Sequence, residues 1–181
     1  MPRTLAFLRA INVGGRTVRM DELRRLFAEL GLSSVETFIA SGNVIFESRP
    51  GSEAALAKRI EKHLAAHLGF DVATFLRSDR EVAEIALRRP FEAAEHARAG
   101  AFCVGFLAAA PSATARAELS RLESANDRFH VHGREVYWLC RTGQGESDFS
   151  NALFEKKCGV RATFRSLTTV AKLAAKYPPG K

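Results

Sequence analysis

The sequence predicts an α+β fold made of two ferredoxin-like subdomains, each a split β-α-β unit with an antiparallel sheet. Three observations carry this. The pattern strand, helix, strand-turn-strand, helix, strand, helix runs twice along the 181 residues. Both first-half bundle helices run into a glycine, the residue that tolerates the left-handed stop. The short strands pair around small polar turns, and two such units are the economical arrangement for that order. The expected subdomains are residues 1–95 and 96–181.

Taken in order, residues 5–11 are almost all apolar and read as a central strand. Residues 21–30 form a helix, with Leu23, Leu26, Phe27 and Leu30 on one face, Asp21 as cap and Gly31 as stop. Residues 35–40 and 43–47 are short strands around a tight turn. Residues 53–68 are a second helix, with Leu56, Ile60 and Leu64 inward and Gly69 closing it. A strand over 72–77 and a helix over 79–88, capped by Asp79, complete the first unit. Residues 90–100 read as a linker anchored by Phe91. The second unit repeats the order: a strand at 102–108, a helix at 112–122, strands at 129–132 and 135–140, a helix at 148–157 capped by Asp148, a strand at 161–164 and a helix at 168–176. Residue identity between the halves is too weak to prove duplication.

Right-handed crossovers fix the directions of a ferredoxin-like unit. The loop after the first strand, the Ser41-Gly42-Asn43 turn and the Gly69-Phe70-Asp71 loop then share one end of the sheet. That places Arg9, Asn12, Gly14, Gly15, Arg16 and Arg19 beside Ser41, Gly42 and Asn43 as a candidate site for a small anionic ligand.

An apolar fraction of 46% with 26% charged residues supports a core of ordinary soluble composition. No apolar run approaches the roughly 20 residues of a membrane span, and the expected location is the cytoplasm. Cys103, Cys140 and Cys158 are odd in number and lack a Cys-x-x-Cys pair, which argues against a disulfide framework or zinc site. The net charge of +7 divides unevenly at residue 95: 14 basic against 13 acidic residues before it, 13 against 7 after it. A basic second half is compatible with a nucleic-acid partner. Arg128, Arg134, Lys156, Lys157, Arg161 and Arg165 are its candidate contacts, with Tyr137 and Trp138 as stacking groups to weigh against a core role.

Four motifs resemble one family. Arg9-Ala10-Ile11-Asn12-Val13-Gly14-Gly15 is similar to the "RGINVGG" signature of bacterial proteins grouped as domain of unknown function number 1697. Phe38-Ile39-Ala40-Ser41-Gly42-Asn43-Val44 resembles its "YIQSGNV", Pro90-Phe91 its Asn-Pro-Phe, and Leu153–Val160 its "FLEKKLGV". The resemblance implies an α+β protein of two related subdomains and no assigned activity. The chain departs from the pattern at Ser147-Asp148-Phe149, where the family commonly has Ser-Lys-Leu. It departs again at Arg165-Ser166-Leu167-Thr168-Thr169, where the family has Arg-Asn-Trp-Asn-Thr.

Each motif also has a structural explanation. Gly14-Gly15-Arg16 lacks the nucleotide P-loop pattern, and Asp21-Glu22 already occupy the positive end of the following helix dipole. Any anion there must be held by Arg9, Arg16, Arg19 and the glycine amides. Ser41 lacks a nucleophile elbow and an assignable His/Asp partner. His63 and His67 share a helix at metal-binding spacing but without the Glu of His-Glu-x-x-His, and read as packed or flanking. His130 and His132 share a strand face without a third ligand. Gly143–Ser147 is a flexible connector or a lid. No catalytic residue, metal set or cofactor is expected. Three readings follow: an anion-binding module, a nucleic-acid binder, and an enzyme using the same cleft, the last without a visible acid–base pair.

Overall fold

The computed structural model describes residues 3–40 and 42–180. It contains two four-stranded antiparallel sheets, each packed with helices. The first is built from β1 (Arg3–Leu8), β2 (Ser33–Thr37), β3 (Asn43–Glu47) and β4 (Thr74–Ser78), in the spatial order β2-β3-β1-β4. Helices α1 (Met20–Glu29) and α2 (Glu53–Leu68) connect them, and α3 (Asp79–Leu87) and the short α4 (Ala93–Ala97) follow. The second sheet repeats the order as β6-β7-β5-β8, from β5 (Ala101–Phe106), β6 (Asp127–His132), β7 (Glu135–Cys140) and β8 (Thr163–Ser166). Its connecting helices are α5 (Ala113–Ser120) and α6 (Asn151–Cys158), and α7 (Leu167–Lys176) closes the chain. Both units therefore have the ferredoxin-like order the sequence predicts.

The period-two alternation of each strand sorts its side chains. In the first unit Ala6, Leu8, Val44, Phe46 and Leu76 pack with Leu23, Leu26 and Phe27 of α1 and Ile60 and Leu64 of α2. The intervening Leu5, Phe7, Ile45, Phe75 and Arg77 are buried as well, so the strands read as apolar runs on both faces. In the second unit Cys103, Val136, Trp138 and Cys140 pack with Ala115, Leu119, Phe154 and Cys158. Gly105 has a local reason: its partner across the sheet is Phe164, whose ring would lie 2.6 Å from any Cβ added there.

The two units share a signature that their overall identity conceals. Arg77-Ser78 ends β4 and Arg165-Ser166 ends β8, at matching registers: Leu5 pairs with Arg77 and Val104 with Arg165. Each arginine donates to the preceding carbonyl, of Leu76 at 2.7 Å or of Phe164 at 2.9 Å. Each serine then caps the next helix, accepting from Glu81 N or Thr169 N at 3.2 Å. In both cases Val-Ala follows four residues after the serine.

Several boundaries differ from expectation. β1 stops at Leu8 because the chain bends at Ala10, whose φ is +54°. Ser78 rather than Asp79 caps α3, and Glu81 returns the favour through Ser78 N at 2.8 Å. Ser150, not Asp148, caps α6. Arg19 occupies the N-cap of α1 and Asp21 its first turn, with no side-chain cap. The expected linker contains α4, held by a Glu92/Glu95 capping box.

Compactness divides the chain differently from residue 95. One unit comprises the residues up to Ile85 together with those from Lys172 on, and the other runs from Ala86 to Ala171. On that division the basic and acidic residues number 15 and 11 in the first unit, 12 and 9 in the second. The charge asymmetry of the linear halves disappears.

Candidate functional site

β1 and β2 run in the same direction, with β3 antiparallel between them. Residues 9–19, the β2–β3 turn and the α2–β4 loop consequently leave the sheet at one end. Hydrogen bonds fasten the three together. Leu8 N donates to Gly42 O at 2.8 Å, and Arg9 N donates to Ala73 O at 2.9 Å. Asn12 spans the gap: its Nδ2 donates to Ala40 O at 2.9 Å and its Oδ1 accepts from Val18 N at 2.7 Å. Arg16 lies over the Phe70 ring, its guanidinium carbon 4.4 Å from the centroid.

The expected site residues thus come together, but with unequal roles. Asn12 and Asn43 are structural clamps. Asn43 is buried, belongs to β3 rather than to the turn tip, and donates to Phe38 O at 3.0 Å. Gly42, at φ +77°, sits where a Cβ would lie 2.6 Å from Ile11 Cγ2 and 3.1 Å from Leu8 Cβ. Arg19 is engaged with Asp21 through two bonds of 3.1 and 3.0 Å. That pairing lowers the Asp21 carboxyl below its ordinary range, and Glu22 N adds to it. Gly14 and Gly15 are exposed at φ +62° and +81° with open space around them. Arg9 is half-buried. Ser41 lies outside the described residues.

Two features of this end were not legible in the sequence. Among the described residues, Ala10, Ser34 and Ile39 are the non-glycine residues at positive φ, and two of the three fall in these segments. A β-branched residue such as Ile39 at φ +50° is costly and persists only where surrounding structure holds it. Val13 and Ile39 are also 56% and 55% exposed, next in sequence to the bonded pair Asn12 and Ala40. Neither strain nor exposure follows from composition.

A cavity of about 710 Å³ opens at the opposite end of the same sheet. Leu30, Leu32, Leu56 and Leu76 contribute apolar walls, and Arg49 and Arg59 line it too. Arg59 donates one bond to Leu30 O at 3.2 Å. In the second unit a cavity of about 730 Å³ is lined by Arg89, His96, Phe102, Cys103, Gln144 and Thr168, among others. His96 Nε2 is buried there without a hydrogen-bond partner, and desolvation lowers its pKa.

The stacking groups weighed for nucleic acid are core residues. Trp138 is 4% exposed and donates through Nε1 to Asp127 Oδ1 at 2.8 Å, and Tyr137 is fully buried. Arg128 pairs with Glu95 at 2.9 Å and Glu123 at 3.6 Å. Burial brings Arg165 down to about 10. Ser147, which matches the family pattern just before its first departure, donates to Asp127 Oδ1 at 2.8 Å, and the departing Phe149 fills the aromatic cluster of Phe129, Trp138 and Phe154. No helix among the described residues is long and apolar enough to cross a membrane.

A fold of two ferredoxin-like units, with a glycine-rich loop clamped to a strained turn in the first, defines the class. The chain belongs to the family described as protein of unknown function (DUF1697), whose model matches residues 1–137. The same fold occurs in the conserved bacterial protein SP0830 from Streptococcus pneumoniae. It is 24% identical, with a TM-score of 0.69 over 96% of this chain and 97% of that one. No curated protein matches the chain.

Proposed function

We propose that the protein is a cytoplasmic binding module for a small anionic ligand at the loop end of its first unit. The observation that carries this reading is the conjunction of backbone strain at Ala10 and Ile39 with the Asn12 clamp between their segments. Strained residues of this kind cluster at binding and catalytic sites. The glycine amides of residues 14 and 15 and the Arg16 guanidinium, steadied on Phe70, supply positive charge. Val13 and Ile39 supply an apolar flank, so the favoured ligand carries an anionic head on a short apolar body. Arg19 contributes least, since Asp21 already neutralises it.

A second reading places the same class of ligand in the cavity bearing Arg49 and Arg59, because Leu30, Leu32, Leu56 and Leu76 wall about 710 Å³ beside the two arginines. The test is a thermal-shift and calorimetric screen of small carboxylates and phosphates on wild type, Arg16→Ala and Arg49→Ala. Loss of a charge-assisted hydrogen bond costs roughly 1.5–3 kcal/mol, or a ten- to hundredfold loss of affinity. The loop-end reading expects that loss in Arg16→Ala with Arg49→Ala unchanged. The reverse pattern moves the site to the cavity, and no binding by wild type rejects both.

A further inference from the structure

We propose that Glu29, His63 and His67 form a binding site for a first-row divalent transition metal, with zinc as the reference ion. The histidines lie one turn apart on α2, and Glu29 is the last residue of α1. His63 Nε2 is 3.1 Å from Glu29 Oε2, and His67 Nε2 is 3.9 Å from the same oxygen. One donor atom from each of the three residues lies within 4.8 Å of the others. The sequence offers only the histidine pair; the third ligand is 34 residues away and is brought in by packing of α1 on α2.

The hydrogen-bonding around the cluster favours a cation between the three groups. His67 Nδ1 is 2.9 Å from the carbonyl oxygen of His63. A carbonyl can only accept, so Nδ1 carries the proton. In the neutral ring Nε2 is then a lone-pair donor turned toward Glu29, the tautomer and second-sphere support typical of a metal-bound imidazole. That lone pair faces a carboxylate oxygen, an arrangement that repels unless a positive centre lies between them. Arg25 engages the other carboxylate oxygen, Oε1, which orients the group and leaves Oε2 to the histidines.

Tetrahedral metal bonds of 2.0–2.1 Å separate their ligand atoms by about 3.3 Å, a value between the two nitrogen–oxygen distances. Two imidazoles and one carboxylate select zinc, cobalt or nickel over magnesium and calcium, which require oxygen. The side chains of His63, His67 and Glu29 are 20%, 42% and 36% exposed, so a fourth position faces solvent. Such a metal joins the end of α1 to the last two turns of α2, and binding to the folded state alone raises its stability by mass action.

The experiment uses full-length, tag-free protein stripped with chelator and titrated with Zn²⁺, followed by calorimetry and thermal denaturation, with Co²⁺ as a spectroscopic probe. The expected result is saturable binding of one equivalent below 100 μM Zn²⁺, a rise in melting temperature, and a tetrahedral Co²⁺ visible spectrum. Glu29→Gln, which keeps shape at an exposed position, and His67→Ala each lower affinity at least about tenfold, whereas His132→Ala does not. No saturable binding at 100 μM Zn²⁺ overturns the proposal. Wild-type affinity in Glu29→Gln overturns it too, because the helical pair alone would then account for binding.

Discussion

Asn12 bonds to Ala40 across the loop end of the first unit, Nδ2 to carbonyl at 2.9 Å, while its other side-chain atom holds Val18 N. One amide thus supplies both the donor and the acceptor that close the glycine-rich loop. Asn12→Asp keeps the acceptor but sets a carboxylate against the Ala40 carbonyl. The expected cost is about 0.5–1.5 kcal/mol in urea denaturation, with faster amide hydrogen exchange over residues 10–18. Unchanged exchange there would show that the clamp does not order the loop.

Gly42 meets two demands at once. Its φ of +77° favours glycine, and a Cβ would lie 2.6 Å from Ile11 Cγ2. Gly42→Ala must displace Ile11 or shift the turn that receives Leu8 N. A left-handed alanine alone costs about 1–2 kcal/mol, and the contact adds to it. Gly14→Ala, at φ +62° but with nothing within 4 Å, is expected to cost only the conformational part. Comparing the two midpoints at equal m-value separates packing from backbone strain.

How much of this was legible depended on whether the signal was local. The helix at residues 53–68 and the strand at 135–140 were readable to the residue, since Gly69 and the apolar pattern mark their extent. The expected meeting of the Asn12–Arg19 loop with the Ser41–Asn43 turn followed from crossover handedness, and the described part of it is the bonding of Leu8 to Gly42 and of Asn12 to Ala40. The bend at Ala10 and the length of the β2–β3 turn did not, because positive φ at Ala10 and Ile39 runs against residue preference. Glu92 at a helix start is an unusual cap, which hid α4. Glu29 beside His63 is a tertiary contact that no spacing announces. The charge asymmetry was a product of a linear boundary, since Lys172 and Lys176 belong with the first unit.

Ile39 pays for its position in backbone energy. At φ +50°, Ile39→Gly removes the penalty of a β-branched side chain in the left-handed region, against glycine's larger loss of chain entropy. Because the side chain is more than half exposed, little packing is lost. The expected outcome is stability equal to wild type or higher by up to about 1 kcal/mol. Anion affinity should fall at the same time if the exposed isoleucine flanks the ligand. A marked loss of stability would show that Ile39 is held for packing, and the strain argument for a site would go with it.

The cysteines give a pH-dependent prediction. Burial pushes the Cys103 thiol up to about 11, partly offset by the Gln144 amide that donates to its sulfur, and burial also raises Cys158. At pH 8 the Cys103 thiolate is then on the order of one part in a thousand, and thiolate is the reactive form. Native protein should leave Cys103 unalkylated by iodoacetamide at pH 8, with full labelling only after unfolding. The same shift ties stability to pH. The folded state holds the Cys103 proton more tightly than the unfolded chain, so the contribution is complete below the ordinary value of 9.0 and is lost as pH rises from there through about 11. Cys103→Ala removes that dependence while opening only a small void. Melting temperatures of wild type and variant should converge between pH 9 and 11. Rapid native labelling of Cys103 at pH 8 would mean that the sulfur is reached through the adjoining cavity in a state more open than the one described.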